Sequence, residues 1–381
     1  MSATLTVFFA IAGAAAYLIG GYPLLLLLRR KRPVRKNFAP RTVSVILAVR
    51  NGEKWLEAKL ENLSGLDYPP GLMEILVVSD GSTDSTAAIA RRWAERGVIL
   101  LERPAEGKSA ALNAALKRAR GEILLFTDVR QPLAENSLRE LVACFDDPLV
   151  GVVSGELILA DGDSREEAAV GLYWKYEKWI RKRLSAIDSF FGATGCIYAM
   201  RRDLAPQIPK GILNDDMFLP LGAFFKGFRL ILDPAARAFD SPASLDVEFR
   251  RKVRTQAGVY QLLRYYPQLL GPGNRQWIDF VSHKLGRLLL PWLLAALLGV
   301  SFFLPGRWRA AAAAQLFVYT LAIIDRFLPG GSAVKRLSSP LRAFVTLMAA
   351  AACAVGILII PAERFWPPSP APKQVTEATK R

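Results

Sequence analysis

The sequence predicts an α/β domain with a doubly wound, mostly parallel sheet, flanked by transmembrane helices. Short runs rich in valine, isoleucine and leucine alternate with segments of helical spacing, which is typical of strand–helix–strand units. Hydrophobic residues occupy 52% of the 381 positions, which is high for a purely soluble protein, and the longest apolar runs lie near the two ends. Such a sheet binds ligands at the carboxyl ends of its strands.

Residues 1–30 are predicted to form an N-terminal transmembrane helix. Residues 5–28 are apolar, uncharged and long enough to cross a bilayer. A basic cluster follows at once, and because such clusters stay on the cytoplasmic side, residues 31–41 are predicted to be a basic cytoplasmic linker. A cleaved signal peptide is the alternative, but no positive residue precedes the apolar run, which is also longer than a signal peptide's apolar core.

Residues 288–361 are predicted to contain two or three transmembrane helices. The apolar segments are residues 288–304, 310–324 and 343–360. The middle segment is short and contains Gln315, so a re-entrant or interfacial helix remains the alternative there. With three spans, the region between the N-terminal helix and residue 287 lies in the cytoplasm, and the polar tail of residues 362–381 lies outside.

Between these helices, residues 42–243 are predicted to form the α/β domain. Buried strands are expected at residues 43–49, 75–78, 98–101 and 123–126. Helices are expected at residues 54–63, 85–96 and 108–118. Residues 244–287 are predicted to be an amphipathic, interfacial segment, and the mixed aromatic and basic stretch at residues 173–182 is also expected to lie near the membrane.

The charge pattern narrows the possible partners. The formal net charge is +16, but the basic residues cluster beside apolar runs and do not form an aromatic-interleaved stripe. We therefore expect membrane lipid and an anionic small substrate as partners, and no nucleic acid. The three cysteines are far apart and there is one histidine, so neither a disulfide framework nor a zinc site is indicated. A divalent metal would need oxygen ligands, which suits magnesium or manganese.

Polar clusters follow the predicted strands where ligands should bind. Residues 50–53 follow the first strand, and residues 79–86 follow the second. The second cluster alone could be a tight turn with a helix cap. Two further clusters, at residues 107–113 and 127–131, continue the pattern.

In this order and spacing, the clusters resemble those of the family 2 glycosyltransferases. The resemblance covers residues 42–260, and the flanking apolar helices resemble those of membrane-bound bacterial members related to polysaccharide synthases. It implies a GT-A-like, nucleotide-sugar-binding catalytic domain at residues 42–243, facing the cytoplasm from an inner or plasma membrane. It also implies an inverting transfer from a nucleotide-sugar, by default a UDP-sugar.

The resemblance implies roles for four donor-binding residues. Arg50, Glu53 and Asp80 would line the nucleotide pocket, with Asp80 accepting a hydrogen bond from the base. Lys108 would face the donor diphosphate, and its position at the head of a predicted helix suits an anion.

Asp128 stands where the family has its metal-binding Asp-X-Asp. Magnesium or manganese there would neutralise charge on the leaving diphosphate. The second Asp of that motif is replaced by Arg130. Either the cation is held by Asp128 with donor phosphates and water, or Arg130 does part of the cation's work.

The acceptor side is implied by two later motifs. The segment beside the donor sugar and acceptor is Gly192, Ala193, Thr194 and Gly195, named the acceptor segment below. An acidic pair follows, with Asp216 as the catalytic base and Asp215 as its partner. The acceptor hydroxyl is a poor nucleophile until its proton is removed, and a neighbouring carboxylate can raise the pKa of the base.

Processive synthases of this family carry a Gln-X-X-Arg-Trp motif, of which only Arg254 is present here. Arg254 would contact the donor diphosphate, but Arg251 and Thr255 occupy the Gln and Trp positions. The sequence therefore predicts non-processive transfer to a lipid-linked or membrane-proximal glycan acceptor. The alternatives are a processive polysaccharide synthase and an inactive nucleotide-sugar-binding or lipid-binding membrane protein.

Overall fold

The structure is a computed structural model that describes residues 3–160, 165–241, 244–329 and 332–365, with the side chains of residues 165–173 left out. Most of the predicted polar tail, residues 366–381, and the side chain of Tyr173 in the predicted membrane-proximal stretch therefore lie outside the described part.

The described chain forms a seven-stranded sheet. Its strands are β1 Val43–Val49, β2 Met73–Asp80, β3 Val98–Arg103, β4 Ile123–Thr127, β5 Val150–Leu159, β6 Ile197–Arg201 and β7 Arg229–Asp240. Their order in the sheet is β3-β2-β1-β4-β6-β5-β7, and only β6 runs antiparallel to its neighbours. The predicted mostly parallel sheet is therefore confirmed. Because β2 and β4 pair with opposite edges of β1, the strand order reverses at β1 and β4, which is where open α/β sheets bind ligands.

Helices connect and cover these strands. They are α1 Ala3–Leu28, α2 Glu53–Ser64, α3 Thr86–Arg92, α4 Lys108–Arg118, α5 Ser137–Ala143, α6 Arg165–Ile187, α7 Asp215–Phe225, α8 Leu245–Tyr265, α9 Trp277–Ser301, α10 Gly306–Phe327 and α11 Lys335–Leu358. Helices α2, α3 and α5 pack on one face of the sheet, while α4, α6, α7 and α8 pack on the other. The sheet is thus doubly wound, as predicted.

Local sequence explains where the first elements end. β1 and α4 have the predicted bounds, and α2 exceeds its predicted range by one residue at each end. The helix predicted over residues 85–96 ends earlier, at Arg92, and a short 3-10 turn follows. Gly97 closes this turn with a φ of 84°, a left-handed conformation that glycine adopts without steric cost.

Four described helices, α1, α9, α10 and α11, are long and apolar enough to cross a membrane. α9 begins at Trp277, before the apolar run that predicted it, because the polar residues of its first turns are buried against other parts of the chain. Asp279, for example, is 1% exposed and accepts hydrogen bonds from Arg29 Nη1 at 2.5 Å and from the Tyr22 hydroxyl at 3.1 Å. This contact joins the N-terminal helix to the C-terminal helices.

Candidate active site

The polar loops after β1 and β2 are joined by hydrogen bonds. Asn51, which has a φ of 51°, accepts a bond from the Thr83 amide at its Oδ1 over 2.8 Å. Glu53 accepts one from the Ser85 amide over 3.0 Å. Asn is among the few residues that tolerate this left-handed backbone. The two predicted nucleotide-binding clusters therefore form one continuous rim, on which Arg50 is exposed.

Asp80, at the end of β2, has a backbone-binding role that the sequence did not reveal. Its carboxylate is buried and accepts hydrogen bonds from the Glu106 amide at 2.9 Å and the Gly107 amide at 3.1 Å. These bonds fix the loop that leads into Lys108. Its implied contact with a nucleotide base stays a prediction.

Lys108, the first residue of α4, links the donor side to the acidic pair. Its ammonium lies 3.4 Å from Asp128 Oδ1 and 3.3 Å from Asp215 Oδ2. Burial alone would lower the pKa of Lys108, but the carboxylates of Asp128, Asp215 and Asp216 together outweigh burial and hold that pKa above its ordinary value. The fold therefore brings these four predicted site residues to the carboxyl end of β4.

The acceptor segment packs directly against the acidic pair. The Ala193 amide donates to the Asp216 carbonyl oxygen over 2.7 Å. A Cβ atom at Gly195 would lie 3.1 Å from Asp216 Oδ2, and one at Gly192, where φ is +99°, would lie 2.4 Å from Met217 Cγ. Side chains at these two glycines would thus crowd the base or its helix.

The surroundings of Asp216 suit a general base. Burial, followed by the charge of Asp215, raises the pKa of the Asp216 carboxyl to about 6, although Lys108 and Arg254 act in the opposite direction. A base is most effective when its pKa lies near the working pH. The raised pKa of the Asp216 carboxyl therefore favours this role.

Helix α8 carries Arg254, whose positive charge lowers the pKa values of both Lys108 and Asp216. The helix is held by two hydrogen bonds to the loop before the acidic pair. They run from Asn214 Nδ2 to the Thr255 carbonyl at 2.8 Å and from the Leu213 amide to Gln261 Oε1 at 3.0 Å. Helix α8 of the predicted interfacial segment therefore packs against the loop that leads into the acidic pair.

Arg130 forms its ion pair with a carboxylate outside the acidic pair. Its guanidinium lies 2.6 Å from Asp240 Oδ2, at the end of β7, and Gln131 Nε2 donates to the same oxygen over 2.8 Å. Of the two roles left open for Arg130, partial replacement of a cation gains no support from this ion pair.

Asp128 can contribute to a cation site but does not form one with other protein ligands. Within the described ranges, no three His, Cys, Asp or Glu side chains are grouped so that they could hold a metal ion. The Asp128 side chain is 42% exposed at the crevice, which leaves room for a cation shared with donor phosphates and water. Magnesium and manganese tolerate this mixed oxygen coordination, so the residues fit the implied metal.

Sequence reasoning missed a polar cluster behind the acceptor segment. Glu177, buried in α6, lies 2.6 Å from Arg287 of α9 and 3.5 Å from Arg181. Burial opposes ionisation of Glu177, but Arg287 and His283 outweigh it and hold the pKa of that carboxyl well below its usual range. Arg181 also reaches Thr194 Oγ1 at 3.5 Å, so the cluster connects the acceptor segment to a candidate membrane helix.

Residues 44–208 match the model of the family described as Glycosyl transferase family 2. A β-monoglucosyldiacylglycerol synthase of Nostoc sp. is 25% identical over 272 residues, which cover 65% of this chain and 56% of that protein. The synthase of the same name from Synechocystis sp. is 30% identical over 265 residues, which cover 65% of this chain and 55% of that protein. The chain thus spans little more than half the length of these relatives.

Among solved structures, the mannosyltransferase PcManGT of Pyrobaculum calidifontis, in complex with GDP-Man and Mn2+, has a similar fold. The TM-score is 0.70 at 23% identity, and the match covers 93% of this chain and 98% of that protein. At this identity the likeness concerns the fold. Residues 44–208 therefore match the family 2 glycosyltransferase model, and the fold around them is similar to that of this mannosyltransferase.

Proposed function

We propose that the protein is an inverting glycosyltransferase that moves a sugar from a nucleotide-sugar to a lipid-linked or membrane-proximal glycan acceptor. The observation that carries the proposal is the position of Lys108, between Asp128 and Asp215. The Lys108 ammonium thereby links Asp128, the candidate ligand for the cation of the donor diphosphate, to the acidic pair that contains the base.

On the donor side, Lys108 and Arg254 supply positive charge for the diphosphate. Lys108 is the first residue of an 11-residue helix, whose free amides and dipole also favour an anion. Arg50, Glu53 and Asp80 hold the nucleotide on the rim. A UDP-sugar is the default donor by family resemblance, and the GDP-Man in the PcManGT complex supports a nucleotide-sugar of some kind.

Asp128, together with donor phosphates, would hold magnesium or manganese. When bound, such a cation neutralises the charge that grows on the departing diphosphate. Mn2+ in the PcManGT complex supports this assignment. Lys108 and Arg254 act on the same charge from the protein side.

On the acceptor side, Asp216 removes the proton from the acceptor hydroxyl. The hydroxyl oxygen then forms its bond to the anomeric carbon of the donor sugar as the bond to the diphosphate breaks. A single displacement of this kind inverts the anomeric configuration. The glycines of the acceptor segment leave room for both sugars beside the base.

A membrane-bound acceptor is supported by the helices around the site. α8 carries Arg254, and the Glu177 cluster joins the acceptor segment to α9. The two relatives are named as synthases of β-monoglucosyldiacylglycerol, which is a glycolipid. The basic cluster after α1 supports a cytoplasmic catalytic domain on an inner or plasma membrane.

The activity is tested with membranes that contain the protein, incubated with a panel of labelled nucleotide-sugars and with Mg2+ or Mn2+. We expect one donor to label the lipid extract or short glycans. Labelled membranes without the protein serve as the background. Absence of transfer and of donor hydrolysis with every donor would favour the inactive binding protein.

Chain length of the product separates simple transfer from processive synthesis. After a pulse of labelled donor and an excess of unlabelled acceptor, label should appear in many short products. Thr255 offers far less contact to a growing glycan than the Trp of the synthases. Long polymer on a few acceptors would instead restore the synthase alternative.

Topology is tested by labelling of introduced cysteines after the native ones are replaced. A cysteine at Val34 should resist a membrane-impermeant thiol reagent in intact cells and react once the cells are opened. A cysteine at Ser369, outside the described residues, is expected to react in intact cells. Labelling at Val34 in intact cells would invert the proposed arrangement.

A further inference from the structure

Lys59 is a buried cation that the proposed reaction does not use. It lies on α2 and is 2% exposed, and it shares the apolar face of that helix with Leu56, Leu60 and Leu63. Hydrophobic residues are expected at such positions, since a buried ammonium must recover the hydration that it loses. The charge at this position was visible in the sequence as an interruption of the apolar stripe.

The Lys59 ammonium donates two hydrogen bonds to the chain around Asp128. One goes to Thr127 Oγ1 at 2.8 Å, and the other goes to the Gln131 carbonyl oxygen at 2.6 Å. The bonded residues lie on either side of residues 128–130. Lys59 therefore holds together the two ends of the loop that carries the candidate metal ligand.

Thr127 extends this contact to the acceptor side. Its hydroxyl, which accepts from Lys59, donates to the Cys196 carbonyl oxygen over 2.9 Å. Thr127 and Cys196 are both buried, and Cys196 directly follows the acceptor segment. A buried chain of hydrogen bonds thus runs from α2 through the end of β4 to the acceptor segment.

A second clamp on the same helix offers a matched comparison. Asn62 Nδ2 donates to the Leu133 carbonyl oxygen over 2.9 Å, and Asn62 Oδ1 accepts from the Leu133 amide over 2.8 Å. The Lys59 contacts fasten α2 to the last residue of β4 and the loop after it, and the Asn62 contacts fasten α2 to Leu133 further along. Only the Lys59 clamp flanks Asp128 and reaches the acceptor segment.

We propose that Lys59 is a positioning residue that, through Thr127 and Gln131, fixes the Asp128 loop and couples it to the acceptor segment. The coupling itself does not depend on the proposed function, because these hydrogen bonds form within the protein without a bound donor sugar or acceptor substrate. Only its benefit for the reaction rests on the proposed function. Its consequence for the reaction is that the donor and the base keep a fixed relative position.

The coupling is tested by amide hydrogen exchange of the full-length protein in detergent, without substrate. In Lys59→Met, exchange should quicken about tenfold or more both at residues 128–131 and at residues 194–197, since buried acceptors lose their donor. Asn62→Ala should quicken exchange around Leu133 and leave residues 194–197 at the parent rate. Exchange in Lys59→Met that is unchanged, or raised in one of the two segments alone, would overturn the coupling.

A pair of substitutions at Thr127 covers the case in which Lys59→Met does not fold. Thr127→Val removes the hydroxyl at nearly constant shape, whereas Thr127→Ser keeps it. We expect faster exchange at residues 194–197 in Thr127→Val and nearly parental exchange in Thr127→Ser. Equal exchange in the two variants would show that the hydroxyl carries no coupling.

The effect on ligand binding is measured separately, with Mn2+ and whichever nucleoside diphosphate the parent binds in a panel. Lys59→Met should raise the Mn2+ concentration needed for half-saturation about tenfold, while Asn62→Ala should stay within about twofold. A parent that binds no nucleotide would contradict the proposed function, whereas the exchange data would still decide the coupling. Parental Mn2+ dependence in a folded Lys59→Met would refute its positioning role at the donor.

Discussion

The donor half of the site, formed by β1 to β4 and their loops, differs from the acceptor half, formed by α6 to α8. In the donor half, site contacts join residues that are fairly close in sequence. Asn51 and Thr83, for example, are 32 residues apart. In the acceptor half, Glu177 meets Arg287 across 110 residues, and α8 holds the loop before the acidic pair. The donor half is thus a product of consecutive strand–helix units, while the acceptor half depends on distant contacts, one of them to α9, a helix long and apolar enough to cross a membrane.

The largest effect should come from the acceptor half, at the base. Asp216→Asn keeps the shape but removes the proton acceptor, so transfer should fall by about a hundredfold to ten-thousandfold. Donor binding should survive, because the donor half is intact. Initial rates of transfer and equilibrium binding of the nucleotide provide the two measurements.

Asp203→Asn is the matched control, since Asp203 is an exposed carboxylate in the turn after β6. It should retain parental transfer. Transfer by Asp216→Asn within tenfold of the parent would exclude Asp216 as the base.

A substitution in the donor half should change the metal dependence as well as the transfer rate. Asp128→Ala removes the candidate cation ligand, and we expect a loss of transfer of about a hundredfold, together with loss of the response to Mg2+ or Mn2+. Titrations of each metal against the transfer rate measure both effects. Full activity of the parent in excess EDTA would show that Lys108 and Arg254 stabilise the leaving group without a metal.

A smaller effect is expected on the pH dependence of transfer, which should follow the base in the acceptor half. Because the pKa of Asp216 is raised to about 6, kcat/KM for transfer, which reports the free enzyme, should fall as pH drops through that value. Asp215→Asn removes the neighbouring negative charge that helps to raise this pKa, so the acid limb should move to lower pH. A limb that stays in place or moves upward in this variant would contradict the assignment of the base.

Arg130 should have the smallest effect. Its guanidinium, 39% exposed, pairs with Asp240, so Arg130→Ala should change the free energy of unfolding by about 0–1 kcal/mol. The metal dependence and the transfer rate should stay within about threefold of the parent. Thermal unfolding and metal titration check both expectations. A large loss that extra Mn2+ restores would revive the idea that Arg130 does part of the cation's work.

The contrast between the donor half and the acceptor half also applies to what the sequence could predict. The bounds of β1 and α4 follow from local pattern alone, and the meeting of Lys108 with Asp128 follows because parallel strands end at one edge of the sheet. The strands β5 to β7 were not predicted. The pairing of Arg130 with Asp240 was not foreseen either, because it joins residues 110 positions apart and depends on the register of β7.

The ion pair between Arg29 and Asp279 has a practical consequence for protein preparation. A fragment that starts at Arg30, just after the N-terminal helix, would lose Arg29 and leave Asp279, which is 1% exposed, without this partner. Removing one partner of a buried ion pair usually destabilises a protein strongly, because the other charge stays buried without compensation, whereas replacing both partners is often tolerated. Anyone who wishes to trim the protein for crystallisation should therefore remove both partners together, for instance by combining the truncation with Asp279→Asn.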